Sequence, residues 1–102
     1  MRLSVFQIQA IRESALNHFG LNAQVWLFGS RVRDDAKGGD IDLYIEVQDQ
    51  TPSDLIAGKL KFLLDLHKKL GDQKIDVVLH NANSLVNLPI YQIAKQTGVQ
   101  LQ

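Results

Sequence analysis

Two aspartates separated by one apolar residue, Asp40 and Asp42, form the pair most suited to chemistry. Residues two apart on a β-strand point to the same face, roughly 6–7 Å apart along the backbone. Carboxylates this close repel each other unless a cation lies between them, and oxygen ligands suit hard divalent ions such as Mg²⁺. A solvated polar strand face is the alternative, although Asp is depleted in strands. Both interpretations stay open on this pair alone.

A third acid, Asp76, interrupts the apolar segment at residues 75–79. Alternation along a strand places it on one face with Lys74, Val78 and His80. A surface or edge position is the ordinary explanation for a single acid in such a strand. If this face continues the face that carries Asp40 and Asp42, three carboxylates converge.

A Gly-Ser pair, Gly29-Ser30, follows directly after the apolar run at residues 25–28. Glycine lets the chain turn tightly and lets a ligand approach the backbone closely. Free N–H groups at the start of a following helical turn, together with the Ser30 hydroxyl, favour a phosphate. An ordinary turn with a serine cap is the competing interpretation.

The three features together are more specific than any one of them. Their order predicts a phosphate-binding turn that faces a three-carboxylate metal site. This layout suits in-line attack on a nucleoside triphosphate, because metal ions stabilise the attacking and leaving oxygens while backbone donors hold the phosphates.

The elements that must position these residues can be predicted from hydrophobic periodicity and cap residues. We expect helices at residues 4–19 and 53–70, strands at 25–28, 40–47 and 74–79, a short helical turn near Ser30, and a last helix from Pro89. Ser4 with Gln7 has the spacing of a capping box. Ser53 is expected to cap the long helix. One sheet with helices packed on it is the natural architecture.

Two of these elements carry specific expectations about burial. Strand 40–47 alternates strictly and is expected to be half exposed, with its polar positions facing solvent: Asp40, Asp42, Tyr44 and Glu46. The long helix is expected to turn its leucine-rich side to the core: Leu55, Ile56, Leu60, Leu63, Leu64, Leu66 and Leu70.

Length and composition limit the classes of protein to consider. The 102 residues suit one domain over 1–102, with 11 basic residues balanced by 11 acidic ones. Neutral charge argues against stand-alone binding to long nucleic acid. The lack of cysteine excludes disulfides and thiolate zinc sites. No signal peptide or membrane-spanning run is apparent, so we expect a cytoplasmic protein.

At the Gly-Ser and Asp-Ile-Asp residues the sequence resembles a known family. The segment from Phe28 to Arg31, followed by Gly39-Asp40-Ile41-Asp42-Leu43, is similar to the signature of DNA polymerase beta-like nucleotidyltransferases. More closely, the chain resembles the minimal nucleotidyltransferases of bacteria and archaea. The resemblance implies an α/β (α+β) fold, a small mixed sheet flanked by helices. It also implies Mg²⁺-dependent nucleotide transfer from ATP or another triphosphate, with two ions.

The resemblance also implies a role for seven residues. Metal binding and catalysis fall to the carboxylates Asp40, Asp42 and Asp76. Nucleotide binding falls to Gly29, Ser30, Arg31 and Arg33. Exposed, solvated side chains are the alternative for the two arginines. The segment between Ser30 and Asp40 is nine residues, one shorter than in many relatives, and Gly39 stands where many have serine.

A partner is implied by the resemblance as well. Minimal nucleotidyltransferases typically pair with a small helical HEPN protein, act as its antitoxin in type VII-like systems, and in some pairs transfer AMP to a tyrosine of the toxin. The short chain leaves nothing to hold an acceptor, which favours a partner that supplies one. A non-catalytic subunit that covers the partner is the second hypothesis. Nucleotidylation of a small molecule is weaker, because such relatives generally carry an added acceptor-binding domain.

Overall fold

The computed structural model describes residues 2–32 and 39–102, and only the main chain of Ser30. The elements in chain order are α1 (Val5–Phe19), β1 (Gln24–Phe28), a 3₁₀ turn (Gly29–Val32), β2 (Ile41–Val47), α2 (Pro52–Leu70), β3 (Ile75–Asn81), α3 (Pro89–Thr97) and β4 (Val99–Gln100). The strands form one sheet in the order β3-β2-β1-β4. Strands β2 and β3 are parallel, and the other two pairs are antiparallel. The predicted mixed sheet flanked by helices is confirmed.

Local signals at the ends of α1 agree with the prediction. Ser4 Oγ accepts a hydrogen bond from the Gln7 amide at 3.1 Å, and the Ser4 amide donates to Gln7 Oε1 at 2.9 Å. The capping box is therefore confirmed. The helix ends at Gly20, whose φ of +92° lies in a region that glycine tolerates.

The start of α2 differs from the prediction. Thr51, not Ser53, is the N-cap, and its Oγ1 accepts a hydrogen bond from the Asp54 amide at 3.1 Å. Pro52 takes the first helical position, where its fixed φ suits the helix and its missing N–H costs nothing. The proline thus moves the cap two residues upstream of the serine.

The face that α2 turns to the core is only partly the predicted one, because Leu66 is in the core and three more of the predicted residues pack against it: Leu55, Leu63 and Leu70. Gly58, Phe62 and Leu66 are buried, whereas Ile56, Leu60 and Leu64 are 73, 61 and 57% exposed. The cause is the close approach of α1. A Cβ on Gly58 would lie 3.0 Å from the Phe19 ring, so this glycine lets the two helices meet here and sets the rotation of α2.

The two faces of β2 are both covered, but by different elements. Ile41, Leu43, Ile45 and Val47 are fully buried in the main core beneath α1 and α2. On the other face Tyr44 is also fully buried and Glu46 is 9% exposed. The expectation of a half-exposed strand is therefore wrong for these two residues, because α3 packs over them.

Helix α3 and strand β4 close the second face of the sheet. The helix starts at Pro89, as predicted, and buries Tyr91 and Ala94 against Trp26 and Tyr44. Strand β4 then pairs with β1, Val99 opposite Leu27. This two-residue strand was not predicted, because it is too short to show alternation. Within the described parts of the chain, no helix has the length and apolar character needed to cross a membrane.

Candidate active site

Strand register brings the candidate site residues to one end of the sheet. Asp42 is the Cα partner of Asp76 in the parallel β2–β3 pair, and of Phe28 in the antiparallel β1–β2 pair. The turn that begins at Gly29 therefore lies beside Asp42. Alternation places Asp42 and Asp76 on the face away from the main core. The condition stated from the sequence, a common face for the two strands, is therefore met.

The three carboxylates are close enough to influence one another. The pKa of Asp42 is raised above its ordinary value, first by burial and then by the negative charges of Asp76 and Asp40. A hydrogen bond with the Asp76 side chain also raises it. A cation placed here would relieve this repulsion, which is the electrostatic condition for a metal site.

A lysine already supplies part of that positive charge. Lys74 Nζ lies 3.6 Å from Asp40 Oδ2 and 3.9 Å from Asp76 Oδ2, and it lowers the pKa of Asp42. The lysine side chain is 68% exposed and the two carboxylates are about half exposed, so each ion pair contributes little stability. Sequence reasoning placed Lys74 on the face of Asp76 but gave it no part in the site. The two-residue spacing of Lys74 and Asp76, which places both on one strand face, was the signal that could have indicated this ion pair.

Gly29 provides the close approach between the turn and the carboxylates. Its φ is +78°, which side chains rarely adopt. A Cβ at this position would collide with the Asp42 carboxylate. The missing side chain thus lets the Asp42 carboxylate lie directly against the turn.

The guanidinium group of Arg31 is engaged by the protein itself. Its Nη1 donates to the Arg2 carbonyl at 2.9 Å. Its Nη2 donates to the Gly39 carbonyl at 2.9 Å and to Gln73 Oε1 at 3.0 Å. The Ser30 side chain and Arg33, both predicted to bind the nucleotide, lie outside the described atoms.

The donor chemistry of the site fits a divalent cation. Asp40, Asp42 and Asp76 offer hard oxygen ligands with excess negative charge, and the Gly29 turn lies against Asp42. Across the described residues, no three acidic or histidine side chains are already gathered in the geometry of a metal centre. The side chains would need to turn toward a common point to hold an ion.

Beyond the carboxylates, the same sheet face carries a polar network under α3. Tyr44 Oη and His80 Nδ1 share a hydrogen bond of 2.9 Å, and His80 stacks on Tyr91 with ring centroids 3.8 Å apart. Burial, followed by the charge of Glu46, raises the pKa of Tyr44. Lys95 Nζ lies 2.8 Å from Glu46 Oε2. These residues hold α3 on the sheet and so limit the open site to the carboxylate end.

Comparison with known proteins agrees with this geometry. A search of curated proteins finds no significant match. The family model described as "Nucleotidyltransferase domain" matches residues 8–99, which include both strands that carry the carboxylates and the Gly29 turn. With this match over most of its length and a mixed sheet of the corresponding type, the chain belongs to the nucleotidyltransferase domain family of the polymerase beta-like superfamily.

Proposed function

We propose that the protein transfers AMP from ATP to a hydroxyl group in a reaction that requires Mg²⁺, with two ions. The observation that carries the proposal is the placement of Asp40, Asp42 and Asp76 at one end of the sheet, where their charges influence one another and Asp42 lies against the Gly29 turn. The family match supports nucleotidyl transfer as the type of reaction. The choice of ATP and of a hydroxyl acceptor is our own.

The residues divide the chemistry among them. Asp40 and Asp42 would hold the metal ions, and Asp76 would complete the ligand set on the side of the acceptor and help prepare its hydroxyl. Bound divalent ions stabilise negative charge on the attacking and leaving oxygens. The main chain at Gly29 and Ser30 would hold the triphosphate beside Asp42, whose carboxylate lies directly against the Gly29 turn. Attack on the α-phosphate then releases pyrophosphate.

We place the acceptor on a partner protein. In this proposal it is a tyrosine of a small helical HEPN-type toxin, and the chain acts as the antitoxin of a type VII-like pair within a hetero-oligomer. The exposure of the carboxylate end supports an acceptor of this size: the side chains of Asp40 and Asp76 are 49 and 54% exposed. A protein surface can therefore reach them directly.

The test is label transfer from ATP that carries ³²P at the α-phosphate. With Mg²⁺ and the product of the neighbouring gene, the wild-type protein should label that product. Asp42→Asn should abolish labelling. Asp54→Asn, an exposed acid in the first turn of α2, is the matched control and should label normally. Equal labelling by Asp42→Asn and wild type would show that the metal-site assignment is wrong.

A second candidate function is neutralisation of a partner by binding alone. The observation that favours it is the outer side of α2, where Ile56, Leu60 and Leu64 are exposed at four-residue spacing. Lysines border this apolar ridge: Lys59, Lys61 and Lys68. An amphipathic helix with acidic borders is the complementary partner surface.

Two variants separate the candidates. If binding alone neutralises the partner, the Asp40→Asn/Asp42→Asn double variant still protects cells, whereas Leu60→Glu abolishes complex formation and protection. If transfer neutralises it, the double variant fails to protect although it still binds. Ser53→Glu, which adds the same charge at an exposed position in the first turn of α2, controls for charge.

A further inference from the structure

We infer that Arg31 is a positioning residue that fixes the relative placement of the two chain segments carrying the metal-site carboxylates. It thereby differs from the phosphate-binding role expected from its position after Gly29-Ser30. The inference rests on the proposed function only where it assigns the carboxylates to a metal ion. Its geometric part stands on the hydrogen bonds of the guanidinium group alone.

The acceptors of Arg31 come from three separate parts of the chain. Nη2 donates both to the Gly39 carbonyl and to the Gln73 side chain. Gly39 directly precedes Asp40, and Gln73 directly precedes Lys74. One nitrogen therefore joins the segment leading into β2 to the segment leading into β3.

This link lies next to the first hydrogen bond between the two strands. The Ile41 amide donates to the Lys74 carbonyl at 2.9 Å. Gly39 and Gln73 lie just before these two residues, so Arg31 spans the open end of the β2–β3 pair. Asp40 lies next to Ile41, and Asp76 lies two residues after Lys74. The hydrogen bond between Ile41 and Lys74 therefore sets the distance between these two carboxylates.

The N-terminal segment fixes Arg31 in turn. The Arg31 carbonyl accepts from the Arg2 amide at 2.7 Å, and Arg31 Nη1 donates to the Arg2 carbonyl at 2.9 Å. The residue thus has both main-chain and side-chain support. Such support holds the guanidinium group in one orientation. A residue whose only role is to bind a phosphate would not need this support.

The remaining donors leave little for a phosphate. A guanidinium group has five N–H donors, and three are used by the protein. The Nε atom is buried, without a partner among the described residues, and so lies out of reach of solvent. A two-pronged contact with phosphate would require breaking bonds that hold the β2 and β3 segments. The planar fork also explains why arginine suits the position, because a lysine ammonium lacks this rigid geometry.

Two variants test the inference from opposite ends of the same hydrogen bond. Arg31→Lys keeps the charge but loses the fork, and Gln73→Met removes only the acceptor. Arg12→Lys, at an exposed position on α1, is the matched control. Thermal unfolding of each variant establishes that it is folded before the other measurements.

The first readout is hydrogen exchange at the Ile41 amide, followed by NMR. Loss of a charge-assisted hydrogen bond should open this strand end and speed exchange by about tenfold in both variants. Exchange in Arg12→Lys should match the wild type. If Ile41 exchange is unchanged in either Arg31→Lys or Gln73→Met, Arg31 does not position the strands and the inference is overturned.

The second readout is the affinity of the free protein for Mn²⁺, measured by calorimetry without nucleotide. Both variants should bind Mn²⁺ about tenfold more weakly, a loss of the size reported for removing groups that orient metal ligands. A phosphate ligand would behave differently: Arg31→Lys alone would raise KM for ATP, with Mn²⁺ affinity and Ile41 exchange unchanged, and Gln73→Met would resemble the wild type. That result overturns the inference.

Failure of the proposed function gives a separate result. If the wild-type protein does not bind Mn²⁺ at all, the metal site is wrong, and the exchange rates at Ile41 still decide whether Arg31 positions the two strands.

Discussion

At the scale of single residues, the site depends on one absent side chain and one unexpected cation. Gly29 lets the chain turn against the Asp42 carboxylate. Lys74 lies between Asp40 and Asp76. Neither residue is an expected metal ligand, yet each affects the position or the charge of the three carboxylates that we propose as ligands. The metal affinity of the proposed site should therefore depend in part on neighbours that are not themselves ligands.

Replacing Gly29 by alanine should abolish metal binding as well as reduce stability. The positive φ costs about 1–3 kcal/mol for a side chain, and the new Cβ would push the Asp42 carboxylate aside. Gly71→Ala is the matched control, because Gly71 has a φ of +79° and open space around the Cβ position. Urea unfolding should show a similar loss of stability for both variants, while calorimetry with Mn²⁺ should show lost binding only for Gly29→Ala. Equal Mn²⁺ affinity of the two would contradict the role given to the close approach.

Removing Lys74 should strengthen metal binding at pH 8. An ammonium group near Asp40 and Asp76 repels an incoming divalent ion, so Lys74→Met should tighten Mn²⁺ binding by about two- to fivefold, a modest effect because the group is well solvated. The same change raises the pKa of Asp42 further, since Lys74 lowers it. As the pH is lowered, the Mn²⁺ affinity of the variant should therefore begin to fall from its plateau at a higher pH than that of the wild type. Lys61→Met, on the outer side of α2, should alter neither quantity.

At the scale of elements, the helices α1 and α2 are joined by a polar contact within an apolar interface. Ser14 is fully buried and its Oγ donates to Asp65 Oδ2 at 2.6 Å. His18 and Lys69 approach the same carboxylate at 3.4 and 3.5 Å. The hydrogen bond from Ser14, with smaller contributions from Lys69 and His18, lowers the pKa of Asp65. Favourable contacts of the ionised form thus help to fix the helix pair.

This pKa shift predicts a loss of stability in acid. A carboxyl whose folded pKa lies below its unfolded value stabilises the protein above the unfolded pKa, and the effect disappears as the pH falls through the folded pKa. Ser14→Ala should therefore cost about 1 kcal/mol at pH 7 and less below pH values near the ordinary pKa of aspartate. Urea unfolding across pH 3–7 measures this. A cost that stays constant down to the lowest pH would contradict the assignment.

At the scale of the whole molecule, the sheet separates a layer formed by α1 and α2 from a layer formed by α3, and the two layers contribute differently to the structure. One face is packed by α1 and α2 into the main apolar core. Among the described residues, α3 is the helix that covers the other face, through the aromatic cluster around Tyr44 and the Lys95–Glu46 pair. The first layer supplies most of the buried apolar surface, and the second leaves the carboxylate end of the sheet open.

The attachment of α3 should depend on the Lys95–Glu46 pair. Lys95→Met would leave the nearly buried Glu46 carboxylate without its closest cation, which should cost about 2–4 kcal/mol. The double variant Lys95→Met/Glu46→Gln should recover much of that loss, because no charge stays buried. Urea unfolding of the two variants, with Lys59→Met as the exposed control, measures both effects. No recovery in the double variant would show that the lysine acts through its ammonium group over the Trp26 ring, 5.4 Å from the ring centroid.

Much of this arrangement could be predicted from sequence because it depends on alternation. Strand periodicity places Asp42 and Asp76 each on one face of its strand, and the order of elements predicts one sheet with helices packed on it. The mixed character of the sheet was implied by the family resemblance. What covers a strand face is not local information. Tyr44 and Glu46 were expected to face solvent, since nothing near them in sequence reveals α3, which starts more than forty residues later.

Of the remaining differences, only the first has a cause that is local in sequence. Thr51 and Ser53 are both good cap residues, and only the position of Pro52 decides between them. The rotation of α2 depends on contact between Gly58 and Phe19 of another helix. Arg31 was assigned to phosphate by resemblance, whereas its hydrogen bonds to Gly39 and Gln73 require knowledge of the fold.

The open carboxylate end has a consequence for turnover when no acceptor is present. Asp40 and Asp76 are about half exposed, so water has the same access to a bound triphosphate as an acceptor hydroxyl does. Active sites that transfer groups usually exclude water to prevent hydrolysis. On the proposed function, the isolated protein should therefore hydrolyse ATP slowly to AMP and pyrophosphate. Binding of a partner over the carboxylate end should exclude water and stop this hydrolysis. Chromatographic analysis of labelled nucleotide would detect this hydrolysis. Suppression of the hydrolysis by the acceptor protein would show that the partner completes the site by excluding water.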